Sequence, residues 1–261
     1  MRRYHQHGFT FIEMLVVTAT IGILAALFLA TMLRAKEKAQ QIQCANNVRQ
    51  LGIALQSFVT ENNSYPLFID PPQGAWVAML QHTELSASTI HLNSSQYLSQ
   101  GVWKCPAAHK PSNLPPHREY FSYGYNCYGL TRQIDAISLG LGGHNLWDPA
   151  RNPASTTLPA PPVRESEVAN PSEMMAIADD FYGGGGVIVD GGLVFGRTSG
   201  LQDNYGSTKR SYARHQTKSN AVFCDGHVDS PTLKFLFEDI SDEALVRWNR
   251  DHLPHREKLS Q

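Results

Sequence analysis

The apolar positions of this chain fall into two different patterns. From Phe9 to Leu33 the run FTFIEMLVVTATIGILAALFLATML is continuous, and Glu13 is its only formal charge. Wound as an α-helix it is about 38 Å long, enough to cross a hydrocarbon core of about 30 Å with some tilt. Beyond it, Ala35 to Ser57 contains no proline, and Val48, Leu51, Leu55 and Phe58 recur at three- and four-residue spacing, the stripe of an amphipathic helix. The spacing therefore predicts one stem helix continuing to about Val59, on the order of 75 Å long. The turn-forming sequence Glu61-Asn62-Asn63-Ser64-Tyr65-Pro66 ends it. Gly22 and Gly52 are candidate soft points, although glycine is also common in membrane helices without acting as a hinge.

The rest of the chain alternates short β-like runs with turn clusters. The runs are Val102 to Cys105, Tyr120 to Leu130, Met174 to Asp179, Val187 to Asp190, Leu193 to Arg197 and Asn220 to Val228. In the last of these, Asp225-Gly226 reads as the two-residue turn of a hairpin, because glycine takes a positive φ cheaply. Leu139 to Pro171 is rich in glycine and proline and reads as a long surface excursion between strands of one sheet. Ser241 is placed to cap a short C-terminal helix beginning at Asp242. The expected class is α+β: a long N-terminal helix, half transmembrane and half amphipathic, packed on a mostly antiparallel sheet. Its divisions are a leader at 1–8, a membrane segment at 9–33, an amphipathic continuation at 34–60 and a globular head at 61–261.

Composition sharpens this picture. The 261 residues carry 22 Lys+Arg against 23 Asp+Glu, a net charge of -1, which argues against a nucleic-acid partner bound through a basic face. Charged residues make up 17%, below the roughly 25% of an average soluble domain, and hydrophobic residues make up 42%, so the chain as a whole is not disordered. The glycine clusters at Gly183 to Gly186 and Gly191-Gly192 have neither a P-loop lysine nor a dinucleotide fingerprint and imply no phosphate site.

The N-terminal run has three readings. A secretory signal would have an apolar region of about 7–15 residues ending in a small-x-small site, and here Phe28 of Phe28-Leu29-Ala30 is bulky. A plain anchor leaves Glu13 unexplained, since an acid within the membrane costs up to about 3 kcal/mol on insertion scales and tends to be functional. The third reading uses every feature. A short leader with Arg2 and Arg3, then Gly8-Phe9-Thr10-Phe11-Ile12-Glu13 and a long apolar stretch, resembles the processing signal of type IV pilins and type II secretion pseudopilins. The resemblance implies a pilin-like fold, cleavage between Gly8 and Phe9 by a membrane-bound prepilin peptidase, and N-methylation of Phe9. It also implies assembly with other pilin or pseudopilin subunits, with Glu13 paired to the Phe9 amine of a neighbour. Physically, a carboxylate inside an apolar helix end requires such a neutralising partner, and the pair would set axial register in a filament. The implied location is the bacterial inner membrane, leader in the cytoplasm and head outside.

Further along, Cys44-Ala45-Asn46-Asn47, Arg49-Gln50-Leu51-Gly52 and Tyr65-Pro66 resemble pseudopilin-like proteins, as do Lys104-Cys105-Pro106 and Ser122 to Asn126. His215, nine residues, then Asp225-Gly226 matches the H-x9-D-G signature of a C-terminal region associated with prepilin-type processing. The bland expectation is that Asp225-Gly226 forms a hairpin turn and that His215 hydrogen-bonds that turn or the loop preceding it. Four cysteines, Cys44, Cys105, Cys127 and Cys224, allow three full pairings. Cys44 with Cys105 would tie stem to head, and Cys105 with Cys127 would close a local loop; the resemblance favours the former. No cofactor is expected. A structural calcium is a secondary candidate, because related pseudopilins hold one in a head loop. Calcium's preference for oxygen makes Asp179, Asp180, Asp190, Asp203 and Asp225 better ligands than His215. No nucleophile has an evident base and no H-E-x-x-H occurs, so catalysis is not expected. The alternative of a different class is a membrane-anchored exterior module for glycan or cell-wall ligands, with Trp76, Trp103 and Trp147 as contacts.

Overall fold

The computed structural model describes residues 9–70, 74–81, 101–108, 122–130, 138–144, 161–180, 214–237 and 239–259. Helix α1 spans Phe11–Asn62, 52 residues or about 78 Å at 1.5 Å per residue. Its start is fixed by a capping box: the Thr10 hydroxyl accepts from the Glu13 N–H, and the Glu13 carboxylate accepts from the Thr10 backbone N–H at 2.8 Å. Within the apolar half the hydroxyls of Thr18, Thr20 and Thr31 donate to carbonyls three or four residues back, so the polar side chains are satisfied inside the helix. Asn63, at φ 54°, ends the helix in the left-handed conformation that asparagine tolerates. This end lies slightly beyond the expected Val59, at the foreseen polar stop.

The head is built on a four-stranded antiparallel sheet in the order β3-β4-β5-β6, comprising Tyr123–Tyr125, Met175–Asp179, Ala221–Phe223 and Val228–Asp229. A two-stranded pair, β1 (Ile69–Asp70) and β2 (Gly74–Ala75), leads into the short helix α2 (Trp76–Gln81). One face of the sheet, through Tyr123, Tyr125, Ile177 and Val222, packs with Val48, Leu51, Leu55 and Val59 of the stem and with Trp76 and Trp103. The other face, through Met175, Ala178, Ala221 and Phe223, meets Leu236 of α3 (Leu233–Phe237), Leu245 of α4 (Asp242–Leu245) and Trp248. Strand β5 alternates strictly between the two clusters, whereas β4 sends both Ala176 and Ile177 to the stem side. A register shift between Met175 and Ile177 accounts for this, since a bulge places neighbouring residues on one face. The result is the expected α+β architecture.

Several local expectations are corrected. Gly101–Trp103 forms a 3-10 turn and not a strand, because Gly101 sits at φ 59° and Trp103 turns inward against Trp76, ring centroids 5.9 Å apart. The β5–β6 connection is longer than two residues: Phe223 N–H donates to His227 C=O at 3.0 Å across the three residues Cys224-Asp225-Gly226, Gly226 N–H donates to Phe223 C=O at 2.9 Å, and Gly226 takes the left-handed position at φ 89°. The beginning of the supposed surface excursion is buried. Leu141 is fully enclosed, and Phe68, Leu139 and Leu141 hydrogen-bond with Gly142, Tyr128 and Asn126. A Cβ on Gly140 would lie 2.4 Å from the Cys127 carbonyl carbon, so this glycine serves close backbone packing and not a surface turn. Ser241 caps α4 by accepting from the Ala244 N–H. The expected runs 187–190 and 193–197 lie outside the described residues.

Candidate functional site

The first region of interest is the free end of α1. Phe9, Phe11, Ile12, Leu15, Ile21, Leu24, Leu27 and Phe28 are all exposed, and none of the helix's most apolar stretch is buried in the head. It is the one helix among the described residues long and apolar enough to cross a membrane. Glu13 and Phe9 sit at its tip, the Glu13 carboxylate folded back on Thr10 and otherwise facing outward. Gly8 lies outside the described residues. An unburied apolar cylinder of this size has water as an unfavourable surrounding, so it calls for lipid or the helices of other chains.

The second region is the joint between stem and head. Burial along α1 begins at Cys44 and continues through Asn47, Val48, Leu51, Gly52, Leu55 and Val59 at helical spacing. Cys44 and Cys105 are joined in a disulfide, with Cα atoms 5.2 Å apart. Asn47 Nδ2 donates to Lys104 C=O at 2.9 Å and to the Tyr123 hydroxyl at 3.2 Å. Gln40 and Gln56 donate to the carbonyls of Pro106 and Cys224. The other two cysteines, Cys127 and Cys224, are buried thiols. Burial drives the Cys127 thiol far above its ordinary value and pushes Cys224 up to about 12, so neither is a nucleophile at neutral pH.

His215 belongs to this joint. It lies in a run of left-handed residues, His215, Gln216 and Thr217 at φ 55°, 58° and 61°, each disfavoured by about 1–2 kcal/mol for side chains with a Cβ. That backbone turns the imidazole inward, where Nε2 is 3.3 Å from Cys105 Sγ and 3.6 Å from Asp179 Oδ2. Asp179 Oδ2 accepts from the backbone N–H and the side-chain amide of Asn220, at 2.8 and 3.0 Å. Arg214 places Nη2 4.0 Å from Asp179 Oδ1 and donates from the same nitrogen to Asp180 C=O. Burial by itself would raise the Asp179 carboxyl, but the Arg214 guanidinium, His215 and the Asn220 N–H together hold it below the usual carboxylate range.

The residues singled out from the sequence are thus only partly brought together. His215 pairs with Asp179 and the disulfide instead of the Asp225-Gly226 turn. Asp225 lies at the opposite end of the β4–β5 pair, where it accepts from the His227 backbone N–H at 3.1 Å and contacts the ring Nδ1 at 2.6 Å. The calcium candidates behave likewise. Asp190 and Asp203 lie outside the described residues, Asp225 is remote from Asp179, and Asp179, next to the buried Asp180, is engaged by Arg214 and Asn220. Trp76 and Trp103 are buried at the stem interface and offer no exposed aromatic surface; Trp147 is outside the described residues. Arg214, Asn47 and Gln56 were not foreseen as site residues. Arg214 stands beside the motif histidine, the one local signal that could have drawn it in.

Residues 3–29 match the family of the prokaryotic N-terminal methylation motif. The N-terminal segment is of the prepilin type. The chain is similar to type II secretion system core protein G of Aeromonas hydrophila, 38% identical over 66 residues, covering 25% of this chain and 46% of the relative. It is also similar to core protein G of Pectobacterium carotovorum subsp. carotovorum, 36% identical over 24% of this chain and 40% of that one. The type IV major pilin protein PilA of Myxococcus xanthus is 36% identical over 23% and 28%. The chain therefore spans less than half the length of these relatives. Neither of these names is that of an enzyme. No solved structure matches.

Proposed function

We propose that this chain is a pseudopilin-like structural subunit. A prepilin peptidase cuts it between Gly8 and Phe9 and Phe9 is N-methylated; the apolar half of α1 anchors it in the inner membrane with its head outside. It then assembles with other pilin or pseudopilin subunits into a filament of the type II secretion or type IV pilus kind. The observation that carries this reading is the tip of α1: a solitary carboxylate, Glu13, at the start of a helix whose most apolar stretch is wholly unburied. Lipid satisfies that surface before assembly and neighbouring stems satisfy it afterwards. Glu13 then needs a positive partner, which a neighbour's Phe9 amine supplies. The side chains of the His215–Asp179 pair are buried within the described residues.

Mass spectrometry of the mature N-terminus tests this directly. The expected species begins with methylated Phe9, and a bulky substitution at Gly8 leaves the leader attached. Glu13→Ala should leave membrane insertion intact and abolish recovery of the chain in sheared filaments. A mature Phe9 terminus despite loss of Gly8, or normal assembly of Glu13→Ala, would refute the proposal.

A further inference from the structure

Four side chains with metal-binding chemistry, drawn from distant parts of the sequence, meet where the stem enters the head. Cys44 comes from α1, Cys105 from the segment after the 3-10 turn, Asp179 from the last position of β4 and His215 from the left-handed run. One ligand atom of each lies within 4.8 Å of those of the other three, and all four residues are buried. The separations from His215 Nε2, 3.3 Å to Cys105 Sγ and 3.6 Å to Asp179 Oδ2, resemble the edges of a tetrahedron of about 3.3–3.8 Å that zinc bonds of about 2.0–2.3 Å generate. Asp179 Oδ1 and His215 Nδ1 are buried and have no hydrogen-bond partner among the described residues. Asp179 Oδ2 is gripped by Asn220, the kind of outer support that orients a ligating carboxylate.

We infer that this joint exists in two chemical forms, the disulfide of the present structure and a dithiol form in which Cys44, Cys105, His215 and Asp179 hold one zinc ion. Two thiolates, an imidazole and a carboxylate in a small tetrahedral space select zinc over calcium or magnesium, which require more oxygens. The charges close as well. The thiolates and the Asp179 carboxylate are balanced by the divalent ion together with the adjacent Arg214 guanidinium, so the cluster carries no net charge. In the disulfide form the same arginine faces the Asp179 carboxylate.

The two forms interconvert with defined reactants. A dithiol reductant passes two electrons and two protons to the S–S bond and is itself oxidised to a disulfide; both protons leave the protein thiols as zinc binds. In the other direction the bound thiolates give two electrons to an oxidising disulfide, which departs as two thiolates, the Cys44–Cys105 bond forms and zinc is released. Either form ties α1 to the head, so the joint is held whether the two cysteines are oxidised or reduced. This gives the motif histidine a role as a ligand. The inference rests on the geometry of the joint and not on the filament reading.

The test uses the full chain in detergent micelles, reduced with a phosphine and refolded with zinc or cobalt before exhaustive dialysis. The reduced wild type is expected to retain one zinc per chain and the oxidised wild type none. Cobalt should give the thiolate charge-transfer band and strong visible bands of a tetrahedral site, and zinc should raise the unfolding temperature of the reduced chain. His215→Ala should weaken retention by more than the about 100-fold that marks loss of an outer-shell partner, while its oxidised form, still holding the disulfide, reports whether the head folds. Cys44→Ser serves as a second ligand deletion. The inference is overturned if the reduced wild type retains no zinc or gains no stability from it. It is equally overturned if cobalt shows an octahedral, sulfur-free spectrum, or if zinc is held equally by the oxidised chain, His215→Ala or Cys44→Ser.

Discussion

Replacing Gly52 by alanine sets two effects of known sign against each other. In an isolated helix the change stabilises by about 1 kcal/mol. In this stem, however, Gly52 faces β5, and a Cβ built on it lies 2.5 Å from Val222 Cγ2. Carbon atoms prefer about 3.5–4.0 Å, so roughly 1 Å of overlap must be relieved. Val222 is fully buried in the middle of the sheet, with the stiff χ1 of a β-branched residue, and cannot swing away freely. Overpacking of this kind costs about 1–3 kcal/mol, and the net expectation for Gly52→Ala is a loss of about 1 kcal/mol. Val222→Ala alone leaves a cavity and should cost about 2 kcal/mol. With the valine methyls removed the new Cβ has room, so in that background Gly52→Ala should be neutral or stabilising. The double-mutant cycle is therefore expected to show a favourable coupling of about 1–3 kcal/mol. Urea unfolding of the full chain in micelles, followed by the fluorescence of the buried Trp76 and Trp103, measures all four corners. Additivity within about 0.5 kcal/mol, or a stabilising Gly52→Ala in the wild-type background, would show that the stem does not press on β5 at this point.

Two further expectations concern the head. The Asn126 side chain donates to Met175 C=O and Trp248 C=O and accepts from Gly129 N–H, at 2.8, 3.0 and 3.0 Å, tying β4 to the C-terminal segment; Asn126→Ala should lower stability by about 2–3 kcal/mol, read as a shift in urea midpoint at unchanged slope. His255 lies between Asp251 and Glu257 at 2.7 and 2.9 Å; partial burial lowers its pKa, but the two carboxylates outweigh this and raise it above the ordinary value. Its contribution to stability is thus complete below about pH 6.5 and is lost as pH climbs through the raised value. The proton titration of its ring by NMR should show the raised midpoint, and His255→Gln should remove that component of the pH dependence.

What could be read from the sequence followed from how local the deciding physics is. The stem announces itself because an apolar run followed by a three- and four-residue stripe has one economical helical solution, and Asn63 supplies the stop. Met175–Asp179 and the β5–β6 hairpin were legible from β-branched and apolar runs around Asp225-Gly226, and Ser241 from its position before two acids. Errors arose where one residue type serves two purposes. Gly140 and Gly142 resemble turn residues, yet each is required because backbone or side-chain atoms of Cys127 pass within 2.8 Å of where a Cβ would be. Val102-Trp103 has strand composition, but Gly101's positive φ and the pocket beside Trp76 coil it inward. The Asp179–His215–Cys105 contact joins positions far apart in the chain, and no periodicity encodes such a meeting. The sequence motif set His215 in one chain segment with Asp225, whereas the fold places it against Asp179 and leaves Asp225 with His227.

The breadth of the joint explains how a head can follow a stem of this length. Its contacts run from Gln40 to Val59 along one side of α1, about 30 Å of helix. They differ in kind from turn to turn: side-chain amides on loop carbonyls at Gln40, Asn47 and Gln56, a covalent link at Cys44, apolar packing at Val48, Leu51 and Leu55, and close helix–strand approach at Gly52. Hydrogen bonds resist sliding along the axis, the covalent link resists separation, and a missing side chain at Gly52 admits β5 so closely that rotation about the axis meets Val222. Meanwhile Ile42 and Ile53, on the opposite side, remain exposed. Under the filament reading this arrangement has a mechanical consequence. Axial register set at Glu13 passes to the head through the stem without slack, because no rigid-body motion of head on stem is free of at least one of these constraints.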